Sequence, residues 1–409
     1  MDSLTSLTTA QQIVLDAAQV LGCEKVGLLD TLGRVLGEDI IAPRSNPPWD
    51  NSAMDGFAVR WADIHSEHAI SKIPELKIVE DVAAGAVATK SVGPGEAIRI
   101  MTGAPMPAGA DTVVRIEYTE PSETNVRIML SEYGKGANIR PKGDDVQEGD
   151  CIIAKGTQLR SGEIGMLAIL AKSFVLVYQR PRVGILSTGD ELADLDESFD
   201  ENKIVNSNSY GIAAAVQEAG GIPILLGIAK DTPDSLKDKI RQGLTCDILV
   251  LSGGVSMGDY DFTKPVFAEL GADMNFWKLA IRPGQPVAFG KIQGKLAFGL
   301  PGNPVSSMVT FDQLVRPAMM KLGGHETWER PTVKAVFQES FSKQTDRRHF
   351  LRGVLAREKG ALVVRTTGKQ GSGILTSMVK ANGFIDLPEE VEALQPGDVV
   401  NVQLLSRNF

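Results

Sequence analysis

Hydrophobic and polar positions change their spacing several times along the chain, and each change marks a region. Near the N-terminus Ile13, Val14, Ala17, Val20 and Leu21 recur at helical intervals and predict an amphipathic helix. Thr9 followed three residues later by Gln12 reads as its capping box, and Gly22 as its stop. From Asn46-Pro47-Pro48 to about Val146 the pattern becomes short alternating apolar segments separated by Gly and Pro. Ala97 to Met101, Thr112 to Tyr118 and Val126 to Leu130 are the clearest, so this region is β-rich. Ser161 to Lys172 is helical again, which makes the β-rich region an insertion into an N-terminal helical unit.

From Phe174 onward strand and helix patterns alternate. Strands are expected at Val183 to Ser187, Ile222 to Ile228, Asp247 to Leu251 and Lys295 to Leu300. Helices are expected at Ser209 to Glu218, Pro233 to Gly243 and Pro304 to about Lys321. This alternation predicts a parallel, doubly wound sheet with ligand sites at the carboxyl ends of its strands. After Arg330 the chain returns to strands, at Thr332 to Phe337, Phe350 to Ala356, Ala361 to Thr366, Gly383 to Leu387 and Val399 to Leu404. The expected organisation is a discontinuous helical/linker domain at 1–45 and 146–176, an inserted β-rich domain at 46–145, an α/β domain at 177–326 and a C-terminal β domain at 327–409. A chain of 409 residues suits several domains, at about 150 residues each.

Composition narrows the function. A formal net charge of −9 disfavours non-specific binding to nucleic acid or anionic membranes. No apolar run approaches the ~20 residues of a membrane span; Ile222 to Ala229 is broken by Pro223 and Gly227. The start, Met1-Asp2-Ser3-Leu4, lacks the features of a secretory signal. Cys23, Cys151 and Cys246 lie far apart, and His65, His68, His325 and His349 are scattered. A disulfide framework and a Cys- or His-based metal centre are therefore not expected, and a cytoplasmic location is.

The candidate chemistry lies in loops at strand ends. Ser187, Thr188 and Gly189 follow the first α/β strand. Ser252, Gly253, Gly254 and Ser256 follow another, leading through Asp259 and Asp261 to a helix near Thr263. Pro301, Gly302, Asn303, Pro304 and Ser306 join the last strand to its helix, with Asn303 as N-cap and Pro304 at the first helical position. Such turns aim unpaired N–H groups at one place, glycines admit close approach, and hydroxyls add donors. That suits phosphate, pyrophosphate or another tetrahedral oxyanion. Each loop alone would pass as a tight turn; their recurrence in one sheet favours a site. None is a Walker A loop or a G-x-G-x-x-G. Asp190, Glu191, Asp231, Asp259 and Asp261 cluster at the same ends. They suit a hard cation such as Mg²⁺, or, for Asp231 and Asp261, capping of the helices that follow. Lys264, Lys278 and Arg282 are the candidate opposing cations.

Five ordered motifs run nearly end to end: Asn51-Ser52-Ala53-Met54-Asp55-Gly56, Arg99-Ile100-Met101-Thr102-Gly103-Ala104-Pro105, Ser187-Thr188-Gly189-Asp190-Glu191-Leu192, Ser252-Gly253-Gly254-Val255-Ser256 and Leu300-Pro301-Gly302-Asn303-Pro304-Val305-Ser306. Together they resemble the molybdopterin molybdenumtransferases, the family of bacterial MoeA and the gephyrin E domain. The resemblance implies a four-domain homodimer with a central α/β domain of the molybdopterin-binding type and a small C-terminal β-barrel. It implies a reaction in which adenylylated molybdopterin and molybdate give molybdenum cofactor and AMP, with a divalent cation, in company with other proteins of that pathway. Carried over by motif, the catalytic positions are Asp55, Thr102, Asp145, Glu191, Lys278 and Arg282. Pro301 and Pro304 come from the same α/β motifs, and Arg352 and Ser372 occupy matching places in the C-terminal domain. Glu191, Asp231 and Asp261 are implied as cation ligands or as a general base, two roles that sequence does not separate. The domain bearing Asp55 is implied to reach the partner's α/β domain, so that the site is shared. Relatives commonly carry lysine at the positions of Arg282 and Gln285. Arg282 keeps the charge, whereas Gln285 loses it; restoring lysine there is expected to strengthen oxyanion binding, unless Gln285 only closes its turn with the side chain in solvent. An adenylyltransferase of the preceding step would need neither the Asp55 domain nor the C-terminal one. A receptor-clustering scaffold would need a long linker to a second pterin-binding domain, which this sequence does not contain. Molybdate and tungstate remain open as the oxyanion.

Overall fold

A computed structural model describes residues 4–65, 73–83, 85–129, 134–197, 201–254, 262–343 and 347–405. The chain forms two compact units, Met1–Gly37 with Gly156–Arg160 and Phe174–Phe409, and Glu38–Lys155 with Ser161–Ser173. No helix among the described residues is long and apolar enough to cross a membrane.

The first unit opens with a helix at Leu7–Ala17 that buries Leu7, Ala10, Val14 and Leu15. Its cap is Ser6 rather than the expected Thr9: Ser6 is extended and its hydroxyl accepts from the Thr9 N–H. Gln12 instead donates to Asp16 one turn on. The helix ends at Ala17, before the expected Gly22, because Ala18 turns to extended backbone.

The α/β region contains β1 (Arg182–Thr188), α1 (Ser207–Glu218), β2 (Ile222–Ala229), α2 (Pro233–Gly243), β3 (Ile248–Ser252), α3 (Thr263–Glu269), β4 (Asp273–Lys278), β5 (Pro286–Ile292), β6 (Lys295–Leu300) and α4 (Pro304–Leu322). The strand order is β2-β1-β3-β6-β5-β4. The first four strands are parallel, as expected, but β5 and β4 run antiparallel to their neighbours. The sheet is therefore mixed at one edge. The cause is local. Gln293 and Gly294 have φ of 51° and 80° between β5 and β6, a two-residue hairpin turn, and two residues cannot make the long crossover a parallel pair needs.

Helices cover both faces of the sheet. Ile212 and Val216 of α1 and Val305, Val309 and Leu314 of α4 pack with the N-terminal helix against Val183, Ile185 and Val250. Leu236 and Ile240 of α2 and Val266 and Phe267 of α3 pack on Leu249 and Leu251 from the other side. Within α4 the predicted single helix is interrupted by a π-helical turn at Phe311–Val315. This extra residue per turn buries Asp312 and Gln313.

The C-terminal part is a closed barrel. Its strands run in the order Arg348–Glu358, Ala361–Thr366, Thr332–Phe337, Val399–Leu404 and Gly383–Leu387, and the last pairs back with the first. Ile281–Arg282 adds in parallel to Arg348–His349. A partly buried polar chain joins barrel and α4: Gln313 Nε2 donates to Gln403 Oε1 at 2.9 Å, and Gln403 Nε2 to Asp386 Oδ2 at 3.1 Å.

The second unit holds a six-stranded sheet, in the order Thr112–Arg115, Gly56–Val59, Glu96–Ile100, Glu75–Val82, Asn125–Ile128 and Thr119–Pro121. Its two faces carry separate apolar cores around Phe57 and Ile98. The expected strand Thr112 to Tyr118 ends at Arg115 and continues as a 3-10 turn. Leu130, the expected end of another strand, lies outside the described residues. Helix Ser161–Ile169 stops before the expected Lys172. Ala171 takes φ 57° and the Lys172 N–H reaches back to Leu167 O, a Schellman closure made without glycine.

Candidate functional site

The carboxyl ends of β1, β3 and β6 open on a cavity of about 460 Å³. Three loops wall it: Ser187 and Thr188, Ser252 to Gly254, and Pro301 to Pro304. Glu191, Pro286 and the Asn206-Ser207-Asn208 start of α1 also line it, beside Leu192, Ile204 and Val205. Gly253 and Gly254 have φ of +94° and +64°. A Cβ on Gly253 would meet Thr188 O at 2.9 Å, and one on Gly254 would meet the Thr188 and Thr263 hydroxyls at 2.8 Å. Only glycine brings this backbone so close to β1. The Gly253 N–H is tied across to Leu300 O at 3.0 Å, which holds the second loop against the third. Asn206 and Asn303 are the N-caps of α1 and α4, so two helix N-termini begin at this cavity.

The lining is neutral apart from Glu191, and its donors are backbone amides, hydroxyls and side-chain amides. Ser187 is fully buried in a ring with Asn206 and Ser209. Asn208 Nδ2 lies 2.8 Å from Ser252 Oγ and 2.7 Å from Gly302 O. Ser306 is buried within the first turn of α4. Gly189 lies beneath Glu191: a Cβ on it would meet the Glu191 carboxylate at 2.5 Å.

The acids at the strand ends are partly paired with backbone. The Asp190 N–H donates to Asp231 Oδ2 at 3.3 Å, and the Asp231 N–H to Asp190 Oδ1 at 3.2 Å. Asp231 does not cap α2; the Thr232 hydroxyl does, accepting from the Ser235 N–H. Among the described residues no group of three or more His, Cys, Asp or Glu side chains is arranged to hold a metal. Asp261, Asp259 and Ser256 lie outside the described residues.

The candidate cations do not line the cavity. Lys264 sits over the Trp277 ring, 4.9 Å from its centroid. Lys278 ends β4, directly opposite Pro286 of β5. Arg282 is exposed on the short strand paired to the barrel. The Gln285 side chain is not in solvent as its turn-closing alternative expected: it is half-buried, and its Oε1 accepts from Arg347 Nη1 at 2.5 Å. A cation from the start of the C-terminal domain thus stands beside Gln285.

Arg352 is 1% exposed, on the face of its barrel strand opposite to the barrel-core residues Leu351 and Leu355. Its guanidinium donates to Ser377 Oγ, Phe350 O and Gly371 O, and burial lowers its pKa to about 10. It holds the loop next to Ser372, whose carbonyl accepts from the Val305 N–H in the first turn of α4. Ser372 thus meets the α4 N-terminus through its backbone carbonyl, and Arg352 holds the carbonyl of the residue before it.

In the second unit, Asp55 precedes strand Gly56–Val59 and Thr102 follows strand Glu96–Ile100, and Gly56 opposite Ile100 brings them together. Asp55 Oδ1 accepts from the Thr102 N–H at 2.7 Å and from its hydroxyl at 2.8 Å. These bonds hold the Asp55 carboxyl below its ordinary value. Asp145 accepts instead from Asn46 Nδ2 at 3.0 Å.

The sequence reading missed Asn206, Asn208 and Arg347. The polar run Asn206-Ser207-Asn208-Ser209 directly after Ile204-Val205 was the available signal for the first two.

Comparison with known proteins agrees across the chain. Residues 5–171 match the model of the MoeA N-terminal region (domain I and II), 184–321 that of a probable molybdopterin binding domain, and 334–405 that of the MoeA C-terminal region (domain IV). A molybdopterin molybdenumtransferase of Bacillus subtilis is 36% identical over 386 residues, covering 93% of this chain and 90% of that protein. One from Nostoc is 38% identical over 388 residues, covering 93% and 88%. The crystal structure of the molybdopterin biosynthesis moeA protein from Pyrococcus horikoshii superposes with a TM-score of 0.82 at 32% identity, over 98% of this chain and 100% of that one. On these matches the chain belongs to the molybdopterin molybdenumtransferase family.

Proposed function

We propose that this chain is a transferase of molybdenum cofactor biosynthesis. It inserts molybdate into adenylylated molybdopterin, releasing AMP. The observation that carries this reading is the cavity at the ends of β1, β3 and β6, whose walls are glycine-borne amides and hydroxyls. Molybdate is a tetrahedral dianion and the co-substrate carries a phosphoanhydride, and both are complementary to such donors. A neutral donor shell binds oxyanions without the desolvation cost of a buried cation. Lys278, Arg282 and Arg347, from β4 and the stretch against the barrel, supply longer-range attraction.

The strand-end acids suit a magnesium ion. Asp190 and Asp231 are adjacent through their reciprocal bonds, and Glu191 lines the cavity. Mg²⁺ takes one or two protein carboxylates and completes its shell with substrate oxygens and water. Glu191 and Asp231, with Asp261, would hold it, and when bound it offsets charge on the anhydride. Asp55, fixed ionised by Thr102, and Asp145 complete the site in a homodimer in which this unit serves the partner's cavity. The cytoplasm is the proposed location.

The test is AMP release from adenylylated molybdopterin by the purified chain. The reading expects release to require both molybdate and Mg²⁺. Release at the same rate without molybdate would refute coupled insertion.

A further inference from the structure

We infer that Asn208 is a positioning residue that makes the Ser252 hydroxyl an oxyanion donor aimed into the cavity. The inference rests on the reading of that cavity as the oxyanion pocket. Asn208 stands on the first turn of α1. One of its side-chain atoms lies 2.7 Å from Gly302 O and 2.8 Å from Ser252 Oγ. A backbone carbonyl only accepts, so the atom facing it is the amide nitrogen. Its two protons are then both spent, one on Gly302 O and one on Ser252 Oγ.

Ser252 therefore accepts from Asn208 and must donate its own proton elsewhere. Among the described residues that proton has no acceptor. Ser252 is 2% exposed and lines the cavity, so the direction left open is the cavity itself. Ser187 at the end of β1 is wired in the opposite sense. It donates to Asn206 Oδ1 at 2.9 Å, Asn206 Nδ2 donates to Ser209 Oγ at 3.0 Å, and Ser209 closes the ring on Ser187 at 2.9 Å. A closed ring leaves Ser187 no proton for a ligand. Of the two strand-end serines, Ser252 alone is set to donate. The same amide ties the loop after β3 to the loop after β6 and so fixes the spacing of the other donors.

The experiment is a double-mutant cycle read by equilibrium binding of molybdate and of 5′-AMP to the full-length chain. Asn208→Ala and Ser252→Ala are each expected to weaken one or both probes about five- to tenfold. In the Ser252→Ala background, Asn208→Ala should add less than about twofold. Asn208→Asp is the second variant: nearly isosteric, it is anionic and can only accept, so it repels the probe directly and also draws the Ser252 proton away from the cavity, and the part of its loss that disappears in the Ser252→Ala background reports the serine. Thermal melting reports which variants fold, and the cycle is run on those. Wild-type affinity in Asn208→Ala or Asn208→Asp, losses that multiply in the double variant, or no binding of either probe to the unmodified chain would overturn the inference. Failure of the functional reading is distinct: the unmodified chain would bind molybdate and show a coupled cycle, yet release no AMP.

Discussion

Gly253→Ala isolates the contribution of loop geometry. The native φ of +94° costs a residue with a side chain roughly 1–3 kcal/mol. The new methyl would also lie 2.9 Å from Thr188 O and 3.2 Å from its hydroxyl, inside van der Waals contact with a backbone that β1 cannot move. Relief requires rotating the loop, which stretches the Gly253 N–H bond to Leu300 O, normally worth about 0.5–1.5 kcal/mol net. A ligand that needs the native loop must restore it, so the strain is taken from binding. A strain of about 1–3 kcal/mol corresponds to roughly a five- to 150-fold loss of affinity for the oxyanion. Gly149→Ala is the control, because Gly149 has φ +93° with nothing within 4 Å of an added Cβ. It carries the backbone cost without the collision or the cavity. The assay is the KM for molybdate and for adenylylated molybdopterin in both variants, beside thermal melting. Gly253→Ala with the KM values of wild type would refute the claim that the close approach of this loop to β1 builds the site.

Other predictions follow from separate contacts. Asp312→Ala leaves Arg316 and Arg330, whose side chains are 12% and 22% exposed, without their shared carboxylate; denaturant unfolding should show a loss of about 3–5 kcal/mol, and a loss below ~1 kcal/mol would mean the pair is solvated. Gln285→Lys sets an ammonium beside the Arg347 guanidinium and removes its acceptor, so the molybdate concentration for half-maximal rate should rise a few-fold instead of falling; a fall would show that lysine adds attraction without displacing Arg347. Mixing inactive Asp55→Ala chains with inactive Asp261→Ala chains under subunit exchange should restore activity through one intact site per heterodimer; no recovery despite proven exchange would place both residues in one subunit's site.

The sequence carried the elements better than their neighbours. Pro233–Gly243, Lys295–Leu300 and Ala361–Thr366 end where predicted, because Pro or Gly stands at or beside their ends. The glycine loops were legible for the same reason: positive φ leaves a mark in composition. The antiparallel edge was missed because β4, Asp-Met-Asn-Phe-Trp-Lys, has no strong period and takes its strand state from pairing with β5. The roles of the site residues depend on strand order, which differs from chain order. Loops after β1, β3 and β6 become neighbours because the order is β2-β1-β3-β6, and α1, leaving β1, lands its first turn between two of them. Asn208 thereby meets Ser252 and Gly302, 44 and 94 residues away, a meeting that no local pattern encodes. The same order explains the acids. β2 lies on the outer side of β1, so the loop after it brings Asp231 to Asp190 rather than to the Ser252 loop. Asp190 and Asp231 thus pair at the β2–β1 side, while Glu191 faces the cavity that holds the neutral donors of the β1–β3–β6 side. In the proposed reaction the loop after β1 would serve both ligands, its hydroxyls facing the oxyanion and its Glu191 carboxylate the cation.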